Sequence, residues 1–263
     1  MAPLGVVDAD LGVYGVKRLK VADLNVCRRT PSANCANTAM TNAEKAADSS
    51  STSPSRPRRT SRPALPAAVA TLTQQPGCRG ARYSRHHEDA AKLTLYVDWD
   101  SVAAHEQFCA KTDLYAPFVA SLAPLSTTAP APYHVAFEPP AKGVLDVAPA
   151  VEVLHLNFPA DYGAEKQGVV LKKFGEFFAI SEKAAGAQGM DLLVGSPAVG
   201  WAVEEREFKE EKARVLVVMI GWKSVEAHMQ YRDTDAFRES IGMIRGLEAM
   251  KGISVYHVAC AKA

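Results

Sequence analysis

Two similar stretches decide the fold: KLTLYVDWDSVAAHEQF at residues 92–108 and VLVVMIGWKSVEAHMQY at residues 215–231. In each, an apolar run leads to a tryptophan, a Ser-Val dipeptide and a histidine at the same spacing. Each stretch is followed by a closing Tyr-His-Val, at residues 133–135 and 256–258. Because chance rarely aligns this combination, the pattern indicates a duplicated structural unit.

The second copy, residues 148–263, contains a complete set of elements. Alternation and apolar runs predict strands at residues 151–158, 199–205, 214–221 and 253–259. Helical spacing and capping residues predict helices at residues 164–185, after Ser224, and after Asp233 or Thr234. The order β-α-β-β-α-β predicts a ferredoxin-like α+β fold. The charged residues 204–212 are interpreted as a solvated hairpin loop.

The first copy, residues 91–140, is predicted to be truncated. Its third strand begins near Leu93, and we find no counterpart of the first strand and long helix in residues 49–90. That segment is rich in Ser, Pro and Arg, so we predict a disordered linker that includes the polar sequence His-His-Glu-Asp at residues 86–89. The truncated copy is then either completed by the other repeat or poorly ordered.

The net charge of the chain does not indicate nucleic acid or an anionic membrane as a partner. The 263 residues carry a formal net charge of +1. A basic cluster in the linker allows a nuclear-localisation or nucleic-acid interpretation, but it lacks aromatic partners, and we favour a solvated linker. The cluster consists of Arg56, Arg58, Arg59 and Arg62. No apolar run is long enough to span a membrane and no secretory signal is evident, so a cytoplasmic location is the default expectation.

Residues 92–263 resemble the dimeric α+β barrel group, which includes antibiotic-biosynthesis-monooxygenase-like and EthD-like proteins. The resemblance rests on Trp-x-Ser-Val-x-Ala-His and the closing Tyr-His-Val strand. It implies two sheets packed face to face, between subunits of a homodimer or between tandem repeats. It also implies a small-molecule substrate, and its members include cofactor-independent oxygenases, haem-degrading enzymes and isomerases.

Three histidines are candidates for the barrel cavity. His105 and His228 recur at equivalent helix positions, and His155 alternates with the leucines of the opening strand. Each could act as a base or hydrogen-bond donor, or could serve only packing. His134 and His257 lie beside the closing tyrosines and are interpreted as strand residues. The scattered cysteines and histidines indicate no metal site.

Residues 5–48 resemble a different family. Their sequence, GVVDADLGVYGVKRLKVADLNV followed by TPSANCANTAMTNAEKAAD, is similar to the C-terminal end of glucose–methanol–choline (GMC) oxidoreductases. The resemblance implies an FAD cofactor, with Asp23, Leu24 and Asn34 near it. It puts the family's second catalytic position on Ala36, so that Asn37 would serve only after a one-residue shift.

The GMC resemblance implies flavin-dependent oxidation of CH–OH donors. The GxGxxG fingerprint and the family's catalytic histidine are absent from the sequence, so we interpret residues 1–48 as a C-terminal remnant that is not competent alone. The alternative function is that of a small-molecule-binding or cofactor-independent monooxygenase-like barrel. A third interpretation is a fusion of two neighbouring genes with no joint function.

Overall fold

The computed structural model describes residues 64–125, 130–187 and 193–262. The GMC-like residues 5–48 and the basic cluster lie outside these ranges. The described residues belong to one compact unit of the chain, residues 61–263.

We call the described residues before Lys142 the first half and those after Leu145 the second half. The first half begins with elements that the sequence predicts to be a linker. Helix α1 (Ala64–Thr73) and strand β1 (Cys78–Arg85) precede β2 (Leu93–Trp99). Two helices follow, α2 (Val102–Ala110) and α3 (Thr112–Leu122), and then a single 3₁₀ turn, Ala123–Leu125. The predicted disordered linker is therefore wrong for residues 64–90.

Local chemistry explains this difference. Pro66 lies in the first turn of α1, where a missing N–H does not interrupt the helical hydrogen bonds. The helix buries Val69 and Leu72 against the neighbouring strand. That strand looks polar because it contains Arg82, which is buried in ion pairs to Asp98 and Asp146. An arginine side chain can be buried only when its charge is paired. Its two partners lie outside β1, so the sequence of the strand alone does not reveal the pairing.

A short helix, α4 (Lys142–Leu145), joins the halves, and the second half then follows the predicted order. Its elements are β3 (Ala150–Pro159), α5 (Ala164–Ala187), β4 (Ala198–Trp201), β5 (Arg206–Phe208), β6 (Glu211–Trp222), α6 (Val225–Arg232), α7 (Asp235–Arg245) and β7 (Gly252–Val258). Ser224 caps α6 and Thr234 caps α7 through their side-chain oxygens. The charged residues 204–212 fold as the β5–β6 hairpin, with Lys209 and Glu210 at positive φ in its turn.

The second-half sheet has strand order β4-β6-β3-β7, with β5 paired to β6. All these pairings are antiparallel. The central strand β3 is buried on both faces: Leu156 and Phe158 contact the helices, whereas Val151 and Val153 face the first half. This is the ferredoxin-like arrangement that the sequence predicts.

The two halves are joined by isolated β-bridges at their edges. Val135 bridges to Ala202, and His86 bridges to Val258. The chain then adds β8 (Ala261–Lys262) to β1, which gives a three-stranded sheet of order β2-β1-β8. Tyr96, Tyr133, Val135 and Phe137 of the first half pack on the inner face of the second sheet. The face that a barrel homodimer would use is thus covered within one chain, and the homodimer stays a prediction.

No helix in the described ranges is long and apolar enough to cross a membrane.

Candidate functional site

A cavity of about 310 Å³ lies between the second-half sheet and helices α5, α6 and α7. Its walls are mostly apolar, and six of the lining side chains are aromatic: Phe174, Phe177, Phe178, Trp222, Tyr231 and Phe237. Polar groups are fewer, and they include Glu152 and His228, with Arg232 and Arg245 from the helices. An apolar pocket with a few convergent polar groups is the usual form of a small-molecule site.

Glu152 extends from β3 into this cavity and is buried, with 6% of its surface exposed. The indole N–H of Trp222 donates to its Oε2 at 3.2 Å, and His228 Nε2 lies 3.4 Å from the same oxygen. Burial raises the pKa of Glu152 to about 7, against the opposing effects of the Trp222 hydrogen bond and the charge of Arg232. The carboxyl therefore exchanges between acid and base forms near neutral pH, as a general acid or base must.

His228 lies beside this carboxyl on α6. Its Nδ1 is 2.7 Å from Nε2 of His257, and its ring stacks on Trp222 with centroids 4.6 Å apart. Burial, with the nearby His257 and Arg232, lowers the pKa of His228 to about 3. The imidazole is consequently neutral at physiological pH.

His257 connects this pair to a surface glutamate. Glu88 accepts from His257 Nδ1 at 2.5 Å through one oxygen, and from the His257 backbone N–H at 2.8 Å through the other. Although partial burial opposes it, these hydrogen bonds hold the pKa of Glu88 below its usual range. We call the four residues Glu152, His228, His257 and Glu88 the Glu88 row.

The histidines of the first half belong to a matching set, which we call the Glu204 row: His105, His134 and Glu204. His105 Nδ1 is 2.8 Å from His134 Nε2, and His134 Nδ1 is 2.5 Å from Glu204 Oε1. The backbone N–H of His134 donates to the other Glu204 oxygen at 2.8 Å, and Trp99 stacks on His105. Each half thus receives its glutamate from the other half.

The structure places the three histidines that were predicted to line the barrel cavity at three different sites. His228 lies in the cavity wall. His105 belongs to the Glu204 row, where no described residue corresponds to Glu152, and burial lowers its pKa. His155 lies on the opposite face of β3, with Nε2 2.7 Å from the Tyr133 hydroxyl, and burial lowers its pKa to about 4, helped by Arg206 and His86.

The flavin-related candidates Asp23, Leu24, Asn34 and Asn37 lie outside the described residues, so they stay predictions.

Sequence reasoning missed the three glutamates. Glu152 carried a signal, because it is the lone acidic residue in the apolar strand VEVLHLNF. Glu88 belongs to the polar segment that was assigned to the linker, and its partner His257 lies 169 positions away. Glu204 was assigned to a solvated loop, although it binds His134. For the last two, no local pattern could reveal the partner.

Comparison with known proteins supports the barrel interpretation. Residues 60–116 match the family model described as antibiotic biosynthesis monooxygenase, a range that begins inside the predicted linker. A structure described as an anthrone oxidase-like protein is similar with a TM-score of 0.51 and 12% identity, covering 78% of this chain and 86% of that one. No curated protein sequence matches the chain.

Two other solved structures, each named "putative monooxygenase", are more distant in shape. One, from Fusobacterium nucleatum subsp. nucleatum, has a TM-score of 0.43 and 13% identity, and covers 80% of this chain and 88% of that one. The other, from Lactobacillus acidophilus NCFM, has a TM-score of 0.42 and 13% identity, with coverages of 75% and 86%.

The family-model match, together with the fold shared with the anthrone oxidase-like protein, favours the monooxygenase-like alternative over the GMC interpretation. The described residues have the ferredoxin-like α+β fold of antibiotic biosynthesis monooxygenase domains, and residues 60–116 match that family's model.

Proposed function

We propose that the second-half cavity binds a small, planar aromatic molecule and oxidises it with O₂ in a monooxygenase-like reaction that needs no organic cofactor. The observation that carries this proposal is the position of Glu152, a buried carboxyl with a pKa of about 7 in a mostly apolar cavity that has six aromatic side chains in its wall.

The cavity's size and lining favour an aromatic ligand. Its volume of about 310 Å³ is at the lower end of the range for ligand pockets, roughly 300–1,000 Å³. Phe174, Phe178 and Trp222 offer ring faces and edges for stacking. Arg232 and Arg245 in the wall supply positive charge, which would stabilise a phenolate or enolate form of the ligand.

The proposed chemistry begins with a proton transfer. Glu152, as the carboxylate, removes a proton from an acidic C–H of the substrate and leaves an electron-rich carbanion that reacts with O₂. In the complete reaction a CH₂ group becomes C=O: one oxygen atom enters the substrate, and the other leaves as water with the two hydrogens. The substrate loses four electrons and O₂ gains four, so no external reductant is required.

An anthrone is the first substrate to test, because it has such an activated CH₂ between two aromatic rings. The fold shared with the anthrone oxidase-like protein supports this choice of substrate class. Oxygen consumption by the full chain would be measured with anthrone, in the presence of a metal chelator and with or without added FAD. We expect catalysed oxidation that FAD does not change.

A rate equal to that of buffer alone, or a rate that depends on added FAD, would reject this proposal. That residues 1–48 are a remnant that is not competent alone is a separate prediction, which flavin absorbance of the purified full chain tests.

A further inference from the structure

We infer that Glu88, His257, His228 and Glu152 form a proton relay that connects the cavity to solvent through the contact between the two halves. This relay supplies the proton path for the proposed function. Its role in catalysis rests on that function, whereas its existence does not. Both ends have the required exposure: Glu152 is buried in the cavity, whereas 43% of the Glu88 side chain is exposed.

When both imidazoles are neutral, the hydrogen-bonding capacity of each group fixes one direction along the row. The Glu88 carboxylate can only accept, so His257 Nδ1 must donate and His257 Nε2 must accept. His228 Nδ1 therefore donates to His257, and His228 Nε2 is left as an acceptor that faces Glu152. A protonated Glu152 is the donor that completes the series.

The transfer moves protons and no electrons. The Glu152 proton passes to His228 Nε2, the proton on His228 Nδ1 passes to His257 Nε2, and the proton on His257 Nδ1 passes to Glu88. Each imidazole gains one proton and loses one, so the net result is one proton moved from Glu152 to Glu88, which releases it to water. Proton uptake at Glu88 reverses the series and restores the first tautomers.

The longest separation in the row is 3.4 Å, between His228 Nε2 and Glu152 Oε2. Catalytic hydrogen bonds are often long before a ligand binds, and the other two links are already 2.7 Å and 2.5 Å. The groups that face the Glu152 carboxyl are Trp222 of β6 and His228 and Arg232 of α6, while Arg245 of α7 lies in the same cavity wall.

The Glu204 row is an internal control for a purely structural role. It has the same bond from glutamate to histidine and the same bond between histidines, but within the described residues it ends at His105 without a carboxyl. If both rows only hold the two Tyr-His-Val segments in place, changes at Glu88 and Glu204 should have equal effects on the protonation of Glu152. A relay requires that Glu88 alone affects the protonation of Glu152.

The experiment measures how fast Glu152 changes protonation in the full chain without substrate. Infrared absorbance of the protonated carboxyl is followed after a pH jump, and the band is assigned by its loss in Glu152→Gln. We expect Glu88→Gln to slow the response at least about tenfold, because the terminal proton acceptor is removed. Glu88→Asp should restore it, and Glu204→Gln should behave like the wild type.

Equal rates for Glu88→Gln and Glu204→Gln would overturn the relay, because protons would then reach the cavity directly. A wild-type chain without an assignable carboxyl band would overturn it as well. Circular dichroism verifies folding, and if Glu88→Gln is unfolded, the effect of D₂O on the wild-type rate decides, since a relay moves three protons. The infrared result does not depend on anthrone oxidation, so either proposal can fail alone.

Discussion

The Glu88 row and the Glu204 row have nearly the same geometry but different surroundings. Their histidine pairs are 2.7 Å and 2.8 Å apart, and both glutamates lie 2.5 Å from their histidine. Only the Glu88 row reaches a buried carboxyl among the described residues, and that carboxyl lines the cavity. Both rows thus have the same bonds between the halves, whereas the buried carboxyl with a raised pKa is found in the Glu88 row.

The largest expected effect separates these roles by activity. Glu152→Gln should lower kcat/KM for anthrone by roughly 10²–10⁴-fold, the usual contribution of a general base. Glu204→Gln, made in the row without a counterpart of Glu152, should leave kcat/KM close to the wild-type value. Steady-state oxygen consumption measures both, and similar losses in the two variants would remove the functional distinction between the rows.

The next comparison concerns the two cores. Phe158 on β3 and Phe108 on α2 are both almost fully buried, each in the core cluster of its own half. Replacement of either by Ala should lower the free energy of unfolding by about 3–5 kcal/mol, through lost burial and a residual cavity. Urea denaturation gives both values. A loss below about 1 kcal/mol for Phe108→Ala would indicate that the first half contributes little to cooperative unfolding.

The pH dependence of stability should differ between the two glutamates. Burial raises the pKa of Glu152 from 4.5 to about 7, so its stabilising protonated form is lost as the pH rises through that range. From pH 5 to pH 8 the wild type should lose roughly 2–3 kcal/mol relative to Glu152→Gln.

Glu204 provides the opposite case. Although burial opposes it, the hydrogen bonds from His134 hold the pKa of Glu204 below its usual range, so its contribution is lost only at acidic pH, below the ordinary glutamate value. Denaturation at several pH values should give the wild type and Glu204→Gln parallel curves between pH 5 and pH 8. A pH-independent difference for Glu152→Gln would contradict the assignment of a raised pKa.

The smallest expected effect tests a feature that the halves share. Ser101 and Ser224 cap α2 and α6, and each accepts a backbone N–H from the residue three positions later. Ser→Ala at either site should lower the free energy of unfolding by about 1 kcal/mol. Thermal unfolding of the two variants should give similar shifts, and clearly unequal shifts would show that the helix starts are not equivalent.

The second half could be predicted from the sequence because its patterns are local. Alternation identified β3, capping serine and threonine residues identified the starts of α6 and α7, and the repeated histidine led to His228. In contrast, β1 was missed because the burial of Arg82 depends on Asp98 and Asp146. The carboxyl of Glu152 was missed because its raised pKa arises from tertiary burial.

The exchange of glutamates between the halves has a consequence for how the chain is assembled. Because Glu88 reaches His257 and Glu204 reaches His134, neither histidine pair has its carboxylate until the other half has docked. If the chain were cut between residues 140 and 148, the two histidine pairs would lack their glutamate carboxylates until the fragments recombine. The pairs are His105 with His134 and His228 with His257. Histidine chemical shifts would therefore report directly on reassembly.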